Sequence, residues 1–397
     1  MSNPLQALLD LAEEEKNARG LRHTPQEIWQ QPNTWQSTFQ RCRQNRAELV
    51  SFLQESGVCR GDLSAPVVFL VGAGTSDYIG RALADLLRQR WSCLVWPVPS
   101  TDLLTNMENF LSSGRDYLWV SFSRSGDSSE GVAVLEKALA AHPRIRHLVV
   151  TCNGSGRMAQ ICSEKPGQAL ALVLDEAVND QGLAMTSSFS NMVVAGQCLA
   201  HLKEMERYEE ILERMIEMGS SFLEKAADVA ATISAMNVSR ACFLGSGALT
   251  AVADESALKV LELTAGKIYT MAESVLGFRH GPMSAMNDRT LCCQFISNDP
   301  RRQSYDLDLL REIRNKKLAE VIVAVAPRRT SELSSLADHL ISLDAPSTFA
   351  DEYRPPVDVM FAQLLGLFSS LHAGLQPDHP SPNGAISRVV SQVRIYP

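Results

Sequence analysis

The sequence predicts an α/β protein made of two similar units, each a parallel β-sheet with helices on both faces. A strand-like apolar run ends in Gly-x-Gly at Gly72 and Gly74, and another does so 173 residues later at Gly245 and Gly247. Three further pairs of apolar runs repeat in order, the last with a slip of a few residues: 117–123 with 290–296, 146–151 with 319–324, and 170–174 with 339–343. Continuously apolar runs are typical of strands buried on both faces of a parallel sheet.

The elements follow in order along the chain. Residues 1–48 are polar and helix-prone, with Thr24 as a candidate N-cap before a proline, and are predicted to form a helical extension. Residues 49–215 and 216–380 are predicted to form the two domains, each reading strand, helix, strand, helix, strand. Helix formers with apolar residues at helical spacing fill 188–236, and residues 381–397 follow a Pro-rich break as a C-terminal tail.

Composition limits the classes of function. The 397 residues are 45% hydrophobic and 21% charged, as in packed globular proteins. The net charge of −8 argues against a nucleic-acid partner. No run reaches the ~20 apolar residues of a membrane helix, and the first residues do not resemble a leader, so a cytoplasmic protein without membrane contact is expected. Nine cysteines show no CxxC or Cys/His spacing, so no zinc site is expected.

Two turns at predicted strand ends carry short hydroxyl side chains. Gly74 is followed by Thr75 and Ser76, and the strand over 117–123 continues into the loop SRSGDS, residues 123–128. In a doubly wound sheet such turns face the ligand, and hydroxyls with free amides suit a sugar phosphate. The alternative is that these residues only cap helices.

Other nucleotide and hydrolase motifs are absent or incomplete. A dinucleotide GxGxxG needs glycine at position 77, where the chain has Asp77. The chain has no GK[ST], GxSxG or HExxH sequence.

The strongest catalytic candidates lie in the second unit. Lys259 and Glu262 are three residues apart, so on a helix they share a face, and His280 stands in the stretch FRHGP. The alternative for Lys259 and Glu262 is a solvated surface pair. The alternative for His280 is a loop histidine that hydrogen-bonds to backbone.

Five motifs in order, GAGTS, SFSRSGDSSE, AMTSSFSN, ALKVLEL and FRHGP, resemble the signature stretches of sugar isomerase (SIS) domains. Their tandem arrangement is similar to the isomerase half of glucosamine-6-phosphate synthase and covers residues from about 50 to the end. The spacing from Glu262 to His280 and the ending RVVSQVRIY look like the aminosugar-catabolic branch, described as tagatose-6-phosphate ketose/aldose isomerase and galactosamine-6-phosphate deaminase. The resemblance implies a flavodoxin-like fold for each unit.

The resemblance also implies roles for single residues. The positions that match the family's phosphate site, or lie beside it, are Gly74, Thr75, Ser76, Ser123, Arg124, Ser125 and Ser128. Thr186 and Ser187 fall where the family contacts the sugar. Glu262 matches the base that moves a proton between C1 and C2, and Lys259 matches its neighbour. His280 matches the ring-opening residue, which the family supplies from the partner subunit, so a homodimer or higher homo-oligomer is expected.

The chain departs from the family synthase in three ways. No cysteine follows Met1 and there is no glutaminase domain, so ammonia is not expected to come from glutamine. Ser391 stands where the synthase has a lysine that reaches the sugar carbonyl, with Arg388 and Arg394 nearby. The second unit has ISNDPRRQS in place of the hydroxyl-rich loop, which predicts one sugar-phosphate site per chain.

The leading hypothesis is a deaminase/isomerase that converts D-galactosamine 6-phosphate to D-tagatose 6-phosphate and ammonia, with no metal or organic cofactor. His280 would open the ring and Glu262 would transfer the proton between C2 and C1. The alternatives are an aldose/ketose isomerase without deamination and a regulator that binds sugar phosphate without catalysis. The sequence does not decide between galacto and gluco substrates.

Overall fold

The computed structural model describes residues 3–58, 64–236, 238–390 and 393–396. They form two compact units. One unit contains residues 33–179, 187–212 and 387–396, and the other contains 3–32, 180–186 and 213–386. The domain limits expected from the sequence, at 48, 215 and 380, stay predictions.

The N-terminal residues are helical, as predicted. Among the described residues, five helices, α1 to α5, precede the first strand: Pro4–Leu9, Glu13–Arg19, Thr24–Trp29, Gln31–Gln44 and Arg46–Glu55. The expectation that Thr24 caps α3 is wrong, because the N-cap residue is His23 and the Thr24 hydroxyl instead donates to Asp378 at 2.7 Å.

The first sheet has five parallel strands in the order β2-β1-β3-β4-β5. Strands β1 to β5 are Val67–Gly72, Val95–Pro99, Tyr117–Ser123, Ile145–Thr151 and Ala169–Val173. Helices α6 to α9 alternate with these strands, and α10 and α11 follow them: Thr75–Trp91, Ser100–Phe110, Ser129–Ala141, Arg157–Glu164, Ser187–Ala200 and Met205–Ser234. This strand order is that of flavodoxin-like folds.

The second sheet repeats the first in the order β7-β6-β8-β9-β10, again fully parallel. Strands β6 to β10 are Arg240–Gly245, Tyr269–Ser274, Thr290–Phe295, Val321–Ala326 and His339–Ser342. Helices α12 to α16 are Ala248–Leu263, Pro300–Lys316, Ser331–Leu336, Pro355–Asp358 and Met360–His372. The tandem doubly wound α/β fold predicted from the repeat is therefore confirmed.

The central strands explain why the repeat could be read from the sequence. Every residue of β1, β3, β8 and β9 is buried, so these strands are continuous apolar runs. The edge strands β2 and β7 were not predicted, because β2 contains two prolines and β7 is partly exposed along its length. None of the described helices is both long and apolar enough to span a membrane.

Candidate active site

The turn between β1 and α6 requires glycine at two positions. A Cβ at Gly72 would lie 2.3 Å from the carbonyl carbon of Ser76, closer than real Cβ contacts. Gly74 adopts φ +56° and ψ −127°, a conformation that other residues rarely adopt. The turn therefore starts α6 at Thr75, and the Thr75 and Ser76 hydroxyls lie in the first turn of the helix, where its positive end favours an anion.

The loop after β3 carries the second group of predicted phosphate-binding residues. The Ser123 hydroxyl accepts the Gly126 backbone N–H at 3.1 Å, and the Ser125 hydroxyl accepts the Asp127 N–H at 3.2 Å. A serine that accepts in this way still has its own proton to donate. Because β1 and β3 are neighbouring parallel strands, this loop and the Gly72–Gly74 turn leave the same edge of the first sheet.

Helix capping does not account for these hydroxyls. Gly74 is the N-cap of α6, so neither Thr75 nor Ser76 holds that position. Ser128 is the N-cap of α8, but its side chain makes no capping hydrogen bond. The capping alternative is therefore wrong for these three residues.

The C-terminal tail lies against the same loop. The Arg124 guanidinium donates to the Arg388 carbonyl at 2.5 Å, and the Ser129 N–H at the start of α8 donates to the Val390 carbonyl at 3.1 Å. The Arg388 guanidinium in turn donates to Asn179 Oδ1 at 2.7 Å. Main-chain carbonyls of the tail thus accept hydrogen bonds from a guanidinium and from an N–H at a helix start, and both are donor types that bind phosphate in proteins.

Ser391 is the residue that matches the lysine of the synthase, with Arg388 and Arg394 nearby. Ser391 lies outside the described residues. The Arg394 guanidinium stacks over the Tyr396 ring at 5.0 Å, and Arg388 is held by Asn179. The structure therefore assigns neither arginine to a sugar carbonyl.

Thr186 and Ser187 are both fully buried. The Thr186 N–H donates to Asp180 Oδ2 at 2.7 Å and its hydroxyl lies 3.3 Å from Asp180 Oδ1. The Ser187 carbonyl accepts the Asn191 side-chain amide at 2.9 Å. Direct sugar contact by these two residues stays a prediction. Asp180 was not predicted from the sequence, because nothing in its spacing from Thr186 indicates the contact.

Helix α12 carries a buried ion-pair cluster. Lys259 is fully buried, with Nζ 2.5 Å from Glu262 Oε2 and 3.4 Å from Glu255 Oε1. The Glu255 side chain is also fully buried, whereas the Glu262 side chain is 30% exposed. The alternative of a solvated surface pair is therefore wrong. Glu255 was missed, although its position four residues before Lys259 places both on one helix face.

A close helix contact buries Lys259. Helices α12 and α16 pack together, and a Cβ at Gly366 would lie 3.2 Å from the Lys259 carbonyl oxygen and 2.6 Å from Leu263 Cδ1. Lys259 cannot reach water, so its ammonium binds the two glutamates, and only Glu262 offers a carboxylate to a ligand. A carboxylate oriented by a buried cation can take and return a proton on carbon.

His280 presents its ring to solvent. It follows a 3-10 turn at Gly277–Arg279, and its backbone N–H donates to the Gly277 carbonyl at 2.9 Å. Arg279 anchors the loop through Glu312 at 2.7 Å and Asp308 at 2.9 Å. Among the described residues, the His280 ring makes no hydrogen bond and no ion pair with Lys259 or Glu262. The alternative of a ring bonded to backbone is therefore wrong.

The structure brings the predicted residues together in two groups, the hydroxyl-rich loops of the first sheet and the Lys259–Glu262 pair of α12. Among the described residues, no group of three His, Cys, Asp or Glu side chains could hold a metal ion.

The chain is similar to known proteins in both sequence and fold. A family model described as SIS domain matches residues 236–371. The D-galactosamine-6-phosphate deaminase AgaS of Escherichia coli is 36% identical over 375 residues, which cover 94% of this chain and 95% of that protein. The AgaS protein of the same name from Shewanella sp. ANA-3 is 33% identical, covering 98% and 95%. The crystal structure of tagatose-6-phosphate ketose/aldose isomerase from Escherichia coli superposes with a TM-score of 0.83 at 33% identity, covering 94% and 96%.

Proposed function

The chain belongs to the AgaS family of D-galactosamine-6-phosphate deaminases, and from this premise we propose that it converts D-galactosamine 6-phosphate and water to D-tagatose 6-phosphate and ammonia. The observation that carries the proposal is the Glu262 carboxylate, which is 30% exposed and held at 2.5 Å by a fully buried lysine. A non-catalytic sugar sensor needs phosphate-binding loops but has no use for such a pair.

The first-sheet loops bind the phosphate in this proposal. Hydroxyls of Thr75, Ser76 and Ser128, which cap no helix, donate to its oxygens together with Ser123 and Ser125. The Arg124 side chain is 6% exposed, and its guanidinium supplies positive charge next to the loop. The chain has a net charge of −8, so attraction for the dianion is local to this edge of the sheet.

Ring opening is the first chemical step. His280 moves a proton from the anomeric hydroxyl to the ring oxygen, which breaks the bond between C1 and that oxygen and leaves an aldehyde at C1. Histidine suits this role because its ordinary pKa lies near neutrality, so it can both take and give a proton. Since the ring of His280 faces solvent, we assign it to the partner subunit's substrate in a homodimer or larger homo-oligomer.

Proton transfer and hydrolysis follow. The Glu262 carboxylate takes the proton from C2, giving an enolamine, and returns it to C1, giving a ketimine at C2. Water adds to the C=N carbon, the C–N bond breaks, and ammonia leaves with a ketone at C2. The net reaction combines an aldose–ketose isomerisation with a hydrolytic deamination. We place it in the cytoplasm, where such phosphorylated sugars stay.

The experiment measures ammonia and ketose released from galactosamine 6-phosphate by the purified protein, beside glucosamine 6-phosphate and galactose 6-phosphate. We expect one ammonia per ketose from galactosamine 6-phosphate. Glu262→Gln should lower kcat by ~10²–10⁴-fold with KM nearly unchanged. Glu217→Gln, which changes an exposed glutamate on α11, is the matched control and should leave kcat unchanged.

Each other result has a definite meaning. Normal ammonia release by Glu262→Gln contradicts the role of Glu262 as base. Interconversion of galactose 6-phosphate with its ketose, without ammonia from the amino sugar, indicates the aldose/ketose isomerase that the similarity to tagatose-6-phosphate isomerase favours. Tight binding of these sugar phosphates without any turnover indicates a regulator.

A further inference from the structure

The N-terminal helix α3 is fixed in place at its first residues by Asp378. The Asp378 carboxylate accepts the backbone N–H of Thr24 at 2.8 Å, the Thr24 hydroxyl at 2.7 Å and the His23 N–H at 3.1 Å. Helix α3 also packs against α16. A helix held at one end by three hydrogen bonds and along its side by packing is a rigid platform for the groups it carries.

Glu27 on this helix holds a distant turn of the chain. Its Oε1 accepts the backbone N–H groups of Gln181 at 2.5 Å and Gly182 at 3.2 Å, and Glu27 is 6% exposed. A Cβ at Gly182 would lie 2.8 Å from Thr24 Oγ1 and 3.0 Å from Glu27 Oε2. The turn therefore runs directly against α3, and glycine allows this approach.

Asp180, which precedes this turn, binds Thr186. Asp180, which is 1% exposed, accepts both the N–H and the hydroxyl of Thr186. A second route leads from the α3–α4 junction to the same residue: Gln31 Nε2 donates to Gln363 Oε1 at 2.7 Å, and Gln363 Nε2 lies 3.4 Å from the Thr186 carbonyl. Two independent chains of hydrogen bonds thus end at Thr186.

We propose that Glu27 is a positioning residue for the substrate site, acting through Asp180 to fix Thr186 in the segment that meets the sugar. This inference rests on the proposed function and on the prediction from the sequence that Thr186 and Ser187 contact the sugar. It also gives helix α3 a role, which is to set the geometry of the segment 180–186.

The protonation of Glu27 fits this role. Burial, and next the Asp180 carboxylate, raise the pKa of Glu27 to about 8, and Asp378 acts in the same direction, whereas the two backbone N–H groups oppose the shift. Glu27 is therefore a neutral acid at pH 7, and glutamine is its close isostere there. Above pH 8 a second negative charge forms beside Asp180.

The kinetic test compares Glu27→Ala, Glu27→Gln and the control Glu14→Gln, which changes an exposed residue of α2. At pH 7 we expect Glu27→Ala to raise KM for galactosamine 6-phosphate by roughly tenfold or more, while Glu27→Gln and Glu14→Gln stay within about twofold of wild type. Loss of folded protein alone would lower apparent kcat and leave KM unchanged. An unchanged KM in Glu27→Ala overturns the proposal.

A second variant keeps the test valid if Glu27→Ala does not fold. Asp180→Asn removes one of the two acceptors of Thr186, so it should also raise KM. Where both variants fold, the double variant should raise KM no further than the larger single effect, because the two residues act along one path. A KM increase in the double variant equal to the product of the two single increases contradicts that path.

Amide hydrogen exchange separates this inference from the proposed function. Glu27→Ala should speed exchange at least about tenfold in the peptide that contains residues 180–186, with the peptides of β8 and β9 unchanged. This result is expected even if the protein releases no ammonia from any sugar. Unchanged exchange in that peptide overturns the positioning role whatever the activity.

Discussion

Replacing Lys259 with methionine should separate the structural part of the α12 cluster from its chemical part. Lys259 and Glu255 are both fully buried, with 3.4 Å between Nζ and the nearer carboxylate oxygen. Removing one partner of a buried ion pair typically costs about 3–5 kcal/mol, because the other charge stays buried without it. Glu262 adds little to this cost, since its 30% exposed side chain can recover water.

The double variant Glu255→Gln/Lys259→Met removes both buried charges together. We expect it to recover most of the stability that Lys259→Met loses, leaving a deficit of about 1–2 kcal/mol from imperfect packing and the buried amide. We expect it to remain inactive, because the cation that orients the Glu262 carboxylate is gone. The mismatch between recovered stability and lost activity is the informative result.

The assay measures the urea midpoint of wild type, Glu255→Gln, Lys259→Met and the double variant by circular dichroism. Deaminase turnover is measured on the same samples. Lys259→Met should have the lowest midpoint and the double variant should lie close to Glu255→Gln. A Lys259→Met protein as stable as wild type refutes the cost assigned to the buried carboxylate. A fully active double variant shows that Lys259 is needed for folding only.

Three further predictions concern other residues. Ser123→Ala should weaken binding of inorganic phosphate and raise KM for the sugar phosphate about tenfold, and it should cost about 1–3 kcal/mol of stability because the buried Gly126 N–H loses its acceptor. Isothermal titration of the folded variant measures the binding, and unchanged binding excludes the residue from the phosphate site. Mixing inactive His280→Ala with inactive Glu262→Gln subunits should restore part of the activity if His280 acts on the partner subunit's substrate, and no recovery after subunit exchange contradicts that assignment. Burial lowers the pKa of His147 to about 3, so this side chain is neutral in the folded protein. The unfolded chain takes up a proton at His147 near pH 6.5, so the free energy of unfolding should fall as pH drops from 6.5 toward 3. The loss should reach about 2 kcal/mol at pH 5. The His147→Phe variant should not show this loss of stability. The prediction is wrong if the urea midpoints of the variant and of wild type change with pH in parallel.

The fold could be predicted from the sequence because the repeated apolar runs are the buried central strands. Central strands such as β3 and β8 have no exposed residue, so their apolar runs are continuous and their offset is visible. Edge strands lack that constraint: β2 contains Pro97 and Pro99, and β7 has no buried residue, so neither resembles the central runs. Strands buried on both faces can therefore be predicted from apolar runs, whereas partly exposed edge strands cannot.

The site was predictable only where chemistry and local spacing coincide. Lys259 and Glu262 share a helix turn, so their contact follows from the sequence, although their burial depends on the neighbouring α16. The contacts of Glu27 with Gln181 and of Asp180 with Thr186 depend on tertiary structure. No periodicity signals the first, which joins residues 154 apart.

The two copies of the repeat keep the same turn and use it differently. Gly247 has φ +60° and ψ −132°, nearly the values of Gly74, and a Cβ at Gly245 would lie 2.1 Å from the Leu249 carbonyl oxygen, which reproduces the crowding at Gly72. The backbone of the turn is thus fixed by strand-to-helix packing in both copies. Only the side chains around it are free to change.

The second copy satisfies its donors with its own carboxylates. Asp306 accepts the Ser246 hydroxyl and the Ser297 N–H, each at 2.8 Å, and Asp351 accepts the Asn298 N–H at 2.8 Å. These donors stand at the ends of β6 and β8, which correspond to the hydroxyl-rich loops after β1 and β3. A phosphate there would find these hydrogen-bond donors already bound by two carboxylates. Internal anions thus take the place of a ligand in the second copy, which favours one sugar-phosphate site per chain, on the first sheet.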